Sequence, residues 1–270
     1  MDHTGRNTID KPATAARIYD YYLGGIHNFP ADQAAARVLV SQFPCIPEVA
    51  RANRAFLRRA MRYLLDADVR QFLDIGSGIP TAGNVHEIAQ AAAPGARVVY
   101  VDIDPMAVME SLEILDGNEL ASAVQGDLCN APAVLDHPEV HRLLDFREPI
   151  GLLLVSVLHF VPDDAQAYAA VARYAQALPS GGYLVLSHAA SEAFDHLYRD
   201  ASNRDDVYRQ QTPTPGTSRT RAEVEQFFTG LEMVDPGVVR LGDWRPDPAA
   251  VADPGLTGGD GAWAGIGRKI

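Results

Sequence analysis

Two glycines and a carboxylate lie close together in the short segment Asp74-Ile75-Gly76-Ser77-Gly78. Glycines let backbone N–H groups approach a ligand without steric conflict, and the carboxylate of Asp74 suits a cationic amino-acid group. A pyrophosphate would be ill placed beside that carboxylate, and Thr81 stands where a dinucleotide fingerprint has its third glycine. The segment therefore disfavours a nicotinamide or flavin dinucleotide. Taken alone, it is also compatible with an ordinary tight turn.

Two further acidic segments follow the next aliphatic runs in order. Asp102 comes directly after one run, where a carboxylate can accept hydrogen bonds from both hydroxyls of a ribose. Asp104 is expected instead to cap a helix that begins at Pro105. Gly126-Asp127 follows the third run, where the carboxylate can accept a bond from an adenine amino group. An ordinary turn aspartate explains Asp127 equally well by itself, so the ordered combination is more specific than any one part.

The elements that position these residues are short strands that alternate with helical patterns from residue 70 onward, as in a parallel sheet with crossover helices. Ligands of an open α/β sheet bind beyond the carboxyl ends of its strands, where each acidic segment lies. Residues 1–69 are predicted to form a helical cap, and residues 70–270 the core, with a polar insertion near 191–218. The predicted strands are Gln71 to Ile75, Arg97 to Asp102, Ala121 to Gln125, Ile150 to Ser156 and Tyr183 to His188.

The composition excludes several classes of protein. Hydrophobic residues make up 47% of the chain, which is typical of a globular protein, and the formal charge of −12 repels nucleic acid. No apolar run approaches the ~18 residues of a membrane span, and the N-terminus lacks the pattern of a leader. Cys45 and Cys129 have neither metal nor disulfide spacing. We expect a cytoplasmic protein that binds no nucleic acid, membrane or metal.

The glycine and acidic segments together resemble those of the class I S-adenosylmethionine-dependent methyltransferases over roughly Gln71 to Lys269. Leu178-Pro179-Ser180-Gly181-Gly182-Tyr183-Leu184-Val185-Leu186 resembles the turn of those enzymes into strand five. The resemblance implies a Rossmann-like α/β fold, with a mostly parallel seven-stranded sheet and an antiparallel last strand. Pro80 stands where the superfamily often has a third glycine, so the path of the loop is expected to differ there.

The same resemblance implies S-adenosyl-L-methionine as cofactor and S-adenosyl-L-homocysteine as product. The residues that it assigns to the cofactor are Asp74, Gly76, Ser77, Gly78, Asp102, Ile103, Gly126, Asp127 and Ser156.

A closer resemblance extends into the N-terminal part of the chain. It is carried by Ala16-Arg17-Ile18-Tyr19-Asp20-Tyr21-Tyr22-Leu23-Gly24-Gly25, Asn28-Phe29, Arg51-Ala52-Asn53-Arg54-Ala55-Phe56-Leu57 and Arg70-Gln71-Phe72-Leu73-Asp74. These segments resemble a bacterial S-adenosyl methyltransferase family catalogued as a domain of unknown function. The resemblance covers nearly the whole chain and implies the fold and the cofactor, but no settled substrate.

The side chains expected near a methyl acceptor follow the fourth strand. Methyl transfer is an in-line displacement at a sulfonium, so positioning and desolvation supply much of the acceleration. His159 is the candidate base or acceptor-orienting group, although a structural role beside the cofactor explains it as well. For His188, at the end of the fifth strand, a structural role is favoured.

The N-terminal and C-terminal segments are expected to cover this site. Tyr19, Tyr22 and Asn28 could close over the methionine moiety, although an ordinary docking helix explains them nearly as well. The resemblance places Gly242 to Gly261, with Trp244, over the acceptor, and such an enclosed mouth favours a small organic molecule. Arg51, Arg54, Arg58 and Arg62 share one helical face, for which a solvated surface is favoured over an anion site.

Three functions are therefore compared. The first is methyl transfer to an oxygen, nitrogen or carbon of a small molecule. The second is a non-catalytic S-adenosylmethionine-binding regulatory protein. The third is an NAD(P)-dependent Rossmann oxidoreductase, which Asp74 and the absent third glycine disfavour.

Overall fold

The computed structural model describes residues 12–80, 83–191, 216–246 and 257–270. Three helices precede the sheet, namely α1 (Ala15–Tyr22), α2 (Pro30–Gln42) and α3 (Ile46–Asp66). Strands and helices then alternate in the order β1 (Gln71–Ile75), α4 (Val85–Ala92), β2 (Arg97–Asp102), α5 (Pro105–Ile114), β3 (Ala121–Gln125), α6 (Ala131–Leu135), α7 (Pro138–Leu143), β4 (Gly151–Val155), α8 (Asp164–Ala177) and β5 (Tyr183–Ala189). The last described elements are α9 (Arg221–Gln226), β6 (Glu232–Met233), β7 (Val239–Arg240) and β8 (Ala262–Arg268), and two 3₁₀ turns span Leu158–Phe160 and Thr257–Gly261.

The strands form one mixed sheet in the order β3-β2-β1-β4-β5-β8-β6, with β7 also paired to β8. Strands β1 to β5 are mutually parallel, and β8 runs antiparallel to β5. The chain builds outward from β1 to β3 and then returns to place β4 on the other side of β1. Ligand sites of open α/β sheets lie at such a reversal, so the crevice is expected beyond the carboxyl ends of β1 and β4.

The sixth strand is interrupted. Both β6 and β7 pair antiparallel with β8, through Glu232 opposite Arg268 and Val239 opposite Ala264. Pro236 lies between them and has no N–H to donate to a ladder, which accounts for the break. The predicted α/β fold with an antiparallel last strand is confirmed, and its sixth strand consists of two short pieces.

Both faces of the sheet are covered by helices because the strands are apolar on both sides. On one face α3 presents Phe56, Ala60 and Leu64 at helical spacing, and these pack against Phe72 of β1. On the other face lie α6, α7 and α8, with Val171 of α8 among the buried residues. Parallel strands buried on both faces hold the carboxyl ends of β1 to β5 along one edge.

Helices α1 and α2 form a smaller cluster of their own around Ile18, Leu39 and Phe43, which also includes Ala50 near the start of α3. The first part of α3 therefore packs with these helices and the remainder with the sheet. The division of the chain at residues 69 and 70 stays a prediction. Most of the predicted polar insertion, residues 192–215, lies outside the described residues.

Candidate functional site

The glycine loop turns sharply at the end of β1. Gly76 and Gly78 both have positive φ, at 69° and 63°, a region that glycine adopts without strain. A Cβ atom on Gly76 would collide with the side chain of Val157, so close packing also requires glycine there. The backbone N–H groups of Gly76 and Ser77 donate to the carbonyl of Val101 at 2.7 and 3.1 Å, which ties the loop to the end of β2.

Asp102 lies at the end of β2 and holds the glycine loop from the other side. Its Oδ2 accepts from the N–H of Gly78 at 2.8 Å, and its Oδ1 accepts from the N–H of Asp104 at 2.9 Å. Burial raises the pKa of Asp102, and these N–H donors act to lower it. Each carboxylate oxygen has a second lone pair, so Asp102 can still accept two hydroxyl donors.

The predicted cap at Asp104 is confirmed. Its Oδ1 accepts from the N–H of Met106 at 2.9 Å, at the start of α5. The other oxygen, Oδ2, lies 3.6 Å from the guanidinium of Arg17, which also donates to buried Asp32 at 2.8 Å. This pair of contacts links α1 to the residues beside Asp102.

Asp74 is a buried carboxylate that faces a guanidinium. The pKa of Asp74 is raised to about 7. Burial is the main cause, the positive charge of Arg54 acts to lower the pKa, and the carboxylate of Asp102 acts to raise it. Arg54 donates to the carbonyl of Gly83 at 3.3 Å and to Oδ1 of Asn84 at 3.1 Å. One acidic and one basic group at the same wall complement the two charges of an amino acid.

Arg54 is a site residue that the sequence analysis missed. The helical spacing of Arg51, Arg54, Arg58 and Arg62 favours a solvated face of α3. In the structure, Arg54 lines the cavity near Asp74. The available signal was its position in the segment Arg51 to Leu57, which carried the closer resemblance.

On the far side of Asp102 the chain continues to the third acidic segment. A Cβ atom on Gly126 would lie 2.8 Å from the side chain of Val101, so glycine is needed there for packing. Asp127 accepts from the N–H of Cys129 at 2.8 Å through Oδ1, and its carboxylate lines the cavity. Ile103, beside Asp102, exposes 64% of its surface and lines the same cavity.

The turn after β4 carries backbone strain. Ser156 has φ of 62°, and such a conformation at a residue other than glycine costs about 1–3 kcal/mol and is concentrated at functional sites. Its N–H donates to the carbonyl of Ser187 at 3.2 Å, which holds the end of β4 against β5. The chain then enters the 3₁₀ turn Leu158–Phe160, which brings His159 to the cavity.

His159 is an uncharged imidazole at neutral pH. Burial and, second to it, the nearby charge of Arg219 lower its pKa to about 4. Its Nδ1 is buried without a hydrogen-bond partner among the described residues. His188 lies behind it, with the ring centroids 6.0 Å apart, and does not line the cavity.

A chain of hydrogen bonds connects the N-terminal helices to β5. Ser187 donates to Oδ1 of Asn53 at 2.6 Å, and Nδ2 of Asn53 donates to the hydroxyl of Tyr19 at 2.9 Å. The Tyr19 hydroxyl in turn donates to the carbonyl of Ala50 at 3.2 Å. Tyr19 and Tyr22 both line the cavity, so α1 forms one of its walls.

Two predicted cover residues lie elsewhere. Asn28 donates to Asp20 at 2.8 Å and to the carbonyl of Gly25 at 2.9 Å, so it orders the loop after α1 and does not line the cavity. Trp244 is fully buried in the core, edge-on to Phe56 with ring centroids 5.5 Å apart. Its large apolar ring is removed from water behind α3, which corrects the expectation that it covers the acceptor.

The remaining predicted residues surround one cavity of about 610 Å³. All nine residues that the sequence assigned to a cofactor line it, together with His159, Tyr19 and Tyr22. Apolar side chains that also line it come from the residue after α2, from the start of α3 and from the residues that follow β4. They include Phe43, Ile46, Val49, Phe160, Val161 and Pro162. Gly261 also lines the cavity, whereas residues 247–256 of the predicted covering loop lie outside the described residues.

The described residues contain neither a metal-binding cluster nor a membrane-spanning helix. No group of three or more His, Cys, Asp or Glu side chains in that part of the chain is arranged to hold a metal ion. None of its helices combines the length and apolar character needed to cross a bilayer.

The reversed parallel sheet and the cavity at its edge define a Rossmann-like methyltransferase fold. A family model described as S-adenosyl methyltransferase matches residues 2–270, so this chain belongs to that family. S-adenosyl-L-methionine is therefore its cofactor, and the predictions of family and cofactor are confirmed. The NAD(P)-dependent alternative is set aside on the same ground.

Solved structures support the family assignment. A DUF574 family protein from Streptomyces avermitilis MA-4680 is 39% identical, with a TM-score of 0.88 over 96% of this chain and 98% of that one. A proposed methyltransferase from Thermobifida fusca YX is 37% identical, with a TM-score of 0.87 over 96% of this chain and 95% of that one. TnmH, at 18% identity and a TM-score of 0.51 over 88% of this chain and 61% of that one, shares the fold. No curated protein matches the sequence.

Proposed function

We propose that this protein transfers a methyl group from S-adenosylmethionine to a small organic molecule held beside His159. The observation that carries the proposal is the continuity of the cavity. Within about 610 Å³, Asp74, Asp102 and Asp127 line one part and the turn that bears His159 lines another. A cofactor and an acceptor could therefore meet in one continuous space, whose volume is within the range of small-molecule sites.

The residues present fit the cofactor in three places. We assign the ribose hydroxyls to Asp102, whose oxygens each keep a lone pair, and the adenine to Ile103 and Asp127. We assign the amino and carboxylate groups of the methionine moiety to Asp74 and Arg54, whose opposite charges match them. Gly76 has no side chain to occupy the cavity, and a Cβ there would collide with Val157.

When bound, the cofactor supplies an electrophilic methyl group on its sulfonium. The protein then has to orient an acceptor and exclude water, and the proton that the acceptor loses leaves to solvent. His159 suits the orientation of the acceptor because its uncharged ring can accept a hydrogen bond from a hydroxyl or an amine, whereas a pKa of about 4 makes it a weak base. The apolar side chains of Phe43, Ile46 and Phe160 suit the exclusion of water.

A small acceptor is favoured by the cover over the cavity. Helix α1 contributes Tyr19, Tyr22 and Leu23 to the wall, and the glycine loop lies against Ala16 of the same helix. A macromolecule would have to displace these contacts to reach His159. The charge of −12 further disfavours nucleic acid, and the lack of a disulfide at Cys45 and Cys129 supports a cytoplasmic location.

A methyl-transfer screen tests the proposal. The protein is incubated with S-adenosylmethionine labelled in its methyl group and with cell extract separated into small molecules, proteins and nucleic acids. We expect label in the small-molecule fraction, about 100-fold less label transferred by His159→Gln, and no loss with His141→Gln, whose side chain is exposed. Label in the protein or nucleic-acid fraction would refute the small acceptor. Cofactor binding without transfer to any fraction would favour the non-catalytic regulatory protein.

A further inference from the structure

Arg219 is a fully engaged, buried arginine beside the proposed acceptor site. It exposes 2% of its surface, and Nε and Nη2 donate to Oδ1 of Asp164 at 3.0 and 2.8 Å. Nη2 also donates to the carbonyl of Val161 at 2.9 Å. Nη1 donates to the carbonyl of Leu158 at 3.2 Å and to Nε2 of His188 at 2.7 Å. A guanidinium has five N–H donors, and five bonds hold this one in a single orientation.

The carbonyls that Arg219 binds flank His159. Leu158 precedes His159, and Val161 ends the turn that carries it. The planar guanidinium of Arg219 therefore donates hydrogen bonds to this turn on both sides of the imidazole. The segment of Arg219 adds a third connection, because the N–H of Thr217 donates to the carbonyl of His159 at 2.7 Å. The position of His159 therefore depends on a segment about 60 residues further along the chain.

Among the residues that the structure describes, the charged and titratable groups around His159 come from three elements. The segment before α9 supplies the cation Arg219, β5 supplies His188, and α8 supplies Asp164, which is paired with Arg219. His188 accepts from Arg219 at Nε2 and donates from Nδ1 to the carbonyl of Ala189 at 2.8 Å, so it is the neutral tautomer. The guanidinium is therefore the fixed positive charge that disfavours a second positive charge on His159.

We propose that Arg219 is a positioning residue, which holds His159 at the wall of the cavity and keeps its ring uncharged. The inference rests on the role of His159 in the proposed function. A neutral imidazole can accept a hydrogen bond from a hydroxyl or an amine of the acceptor, whereas an imidazolium cannot. Burial, followed by the charge of Arg219, lowers the pKa of His159 to about 4, which agrees with this role. Arg219 does not line the cavity, so it acts through His159.

The test is a histidine titration by NMR on the full-length protein with S-adenosylhomocysteine bound. Ring resonances of labelled histidines are followed with pH in wild type, Arg219→Met, Arg219→Lys and Asp164→Asn, and His159 is assigned by the missing signal in His159→Gln. Asp164→Asn is the matched control, since it removes the opposite charge from the same ion pair. Thermal unfolding and calorimetry with S-adenosylhomocysteine check the fold and the cofactor site of each variant.

In wild type we expect His159 to titrate well below pH 5. Arg219→Met should raise its midpoint by about one pH unit, whereas Asp164→Asn should lower it slightly or leave it unchanged. Arg219→Lys keeps the charge but cannot serve both carbonyls and Asp164, so it should keep the low midpoint and shift or broaden the ring resonances.

Three results would overturn the proposal. A wild-type midpoint near 6.5 would show that the ring is not held uncharged. An unchanged titration midpoint of His159 in folded Arg219→Met would show that the charge of Arg219 does not keep the ring uncharged. If Arg219→Met does not fold, unchanged ring resonances in folded Arg219→Lys would remove the positioning role. These outcomes differ from failure of the proposed function, which would appear as lost cofactor binding in wild type or as no methyl transfer.

Discussion

Binding of S-adenosylmethionine should release a proton from Asp74. This carboxylate is buried, and its pKa in the cofactor-free protein is raised to about 7. If the amino group of the cofactor lies beside Asp74, its positive charge favours the ionised carboxylate and lowers the pKa again. Because the pKa is higher in the free protein than in the complex, protons oppose binding. The affinity must therefore rise with pH until the free protein has lost this proton.

The size of the effect follows from the two pKa values. With about 7 in the free protein, and with about 5 in the complex as an opposite charge at close range would produce, binding is about tenfold weaker at pH 6 than at pH 8. That ratio corresponds to ~1.4 kcal/mol. At pH 7 about half a proton should be released for each cofactor bound. Above pH 8 the affinity should level off.

Calorimetry in buffers of different ionisation enthalpy measures this release directly, and titrations from pH 5.5 to pH 8.5 give the affinity profile. Asp74→Asn is the informative variant because it has no proton to release. It should bind more weakly at pH 8 and lose the pH dependence between 6 and 8. It should also remain folded, since it removes a buried charge. Asp145→Asn, at an exposed carboxylate paired with Arg147, is the control that should behave as wild type.

The reasoning would be refuted by an affinity that is flat between pH 6 and pH 8 in wild type. It would equally be refuted by wild-type proton release in Asp74→Asn, which would assign the titrating group to another residue.

Three further predictions concern the same cavity. Arg54→Gln should weaken the binding of S-adenosylhomocysteine by about tenfold in calorimetry. It should leave the binding of 5′-methylthioadenosine unchanged, because that ligand has no carboxylate. Arg58→Gln, at an exposed arginine, should change the binding of neither ligand. Equal loss of both ligands would contradict the assignment of Arg54. Gly76→Ala should destabilise the protein by roughly 1–3 kcal/mol in denaturant unfolding, and Val157→Ala should restore part of that loss by making room for the new methyl group. Asp102→Ala should reduce the binding free energy of S-adenosylhomocysteine by about 1.5–3 kcal/mol. NADH should bind neither wild type nor the variant. Preferential binding of NADH would contradict the assignment of the cofactor.

Much of the cofactor site could be predicted from the sequence because its determinants are local. Asp102 ends β2 and Asp127 lies two residues after β3, and parallel strands bring their carboxyl ends to one edge whatever the details of packing. The five parallel strands were predicted to within one residue at each end. The glycine at position 76 is likewise required by its own backbone conformation and by a close neighbour.

The other features depend on contacts between distant parts of the chain. Arg54 reaches the cavity only because α3 docks beside the glycine loop, and its bond to Asn84 joins residues 30 positions apart. Trp244 belongs to the core because Phe56 and Tyr63 of α3 present rings to it, which no pattern near residue 244 indicates. The hydrogen bonds of Arg219 to the carbonyls of Leu158 and Val161 join residues 61 and 58 positions apart. Spacing along the chain carries no signal for such pairs.

A crystal structure of the protein with S-adenosylhomocysteine would show where each part of the cofactor binds. We expect the ribose hydroxyls within hydrogen-bond distance of Asp102, the amino group of the ligand beside Asp74, and its sulfur directed toward the part of the cavity lined by His159. A ligand bound outside this cavity, for example in the surface groove lined by Arg37 and Arg51, would contradict this expectation. A ligand inside the cavity with its adenine beside His159 would contradict it as well.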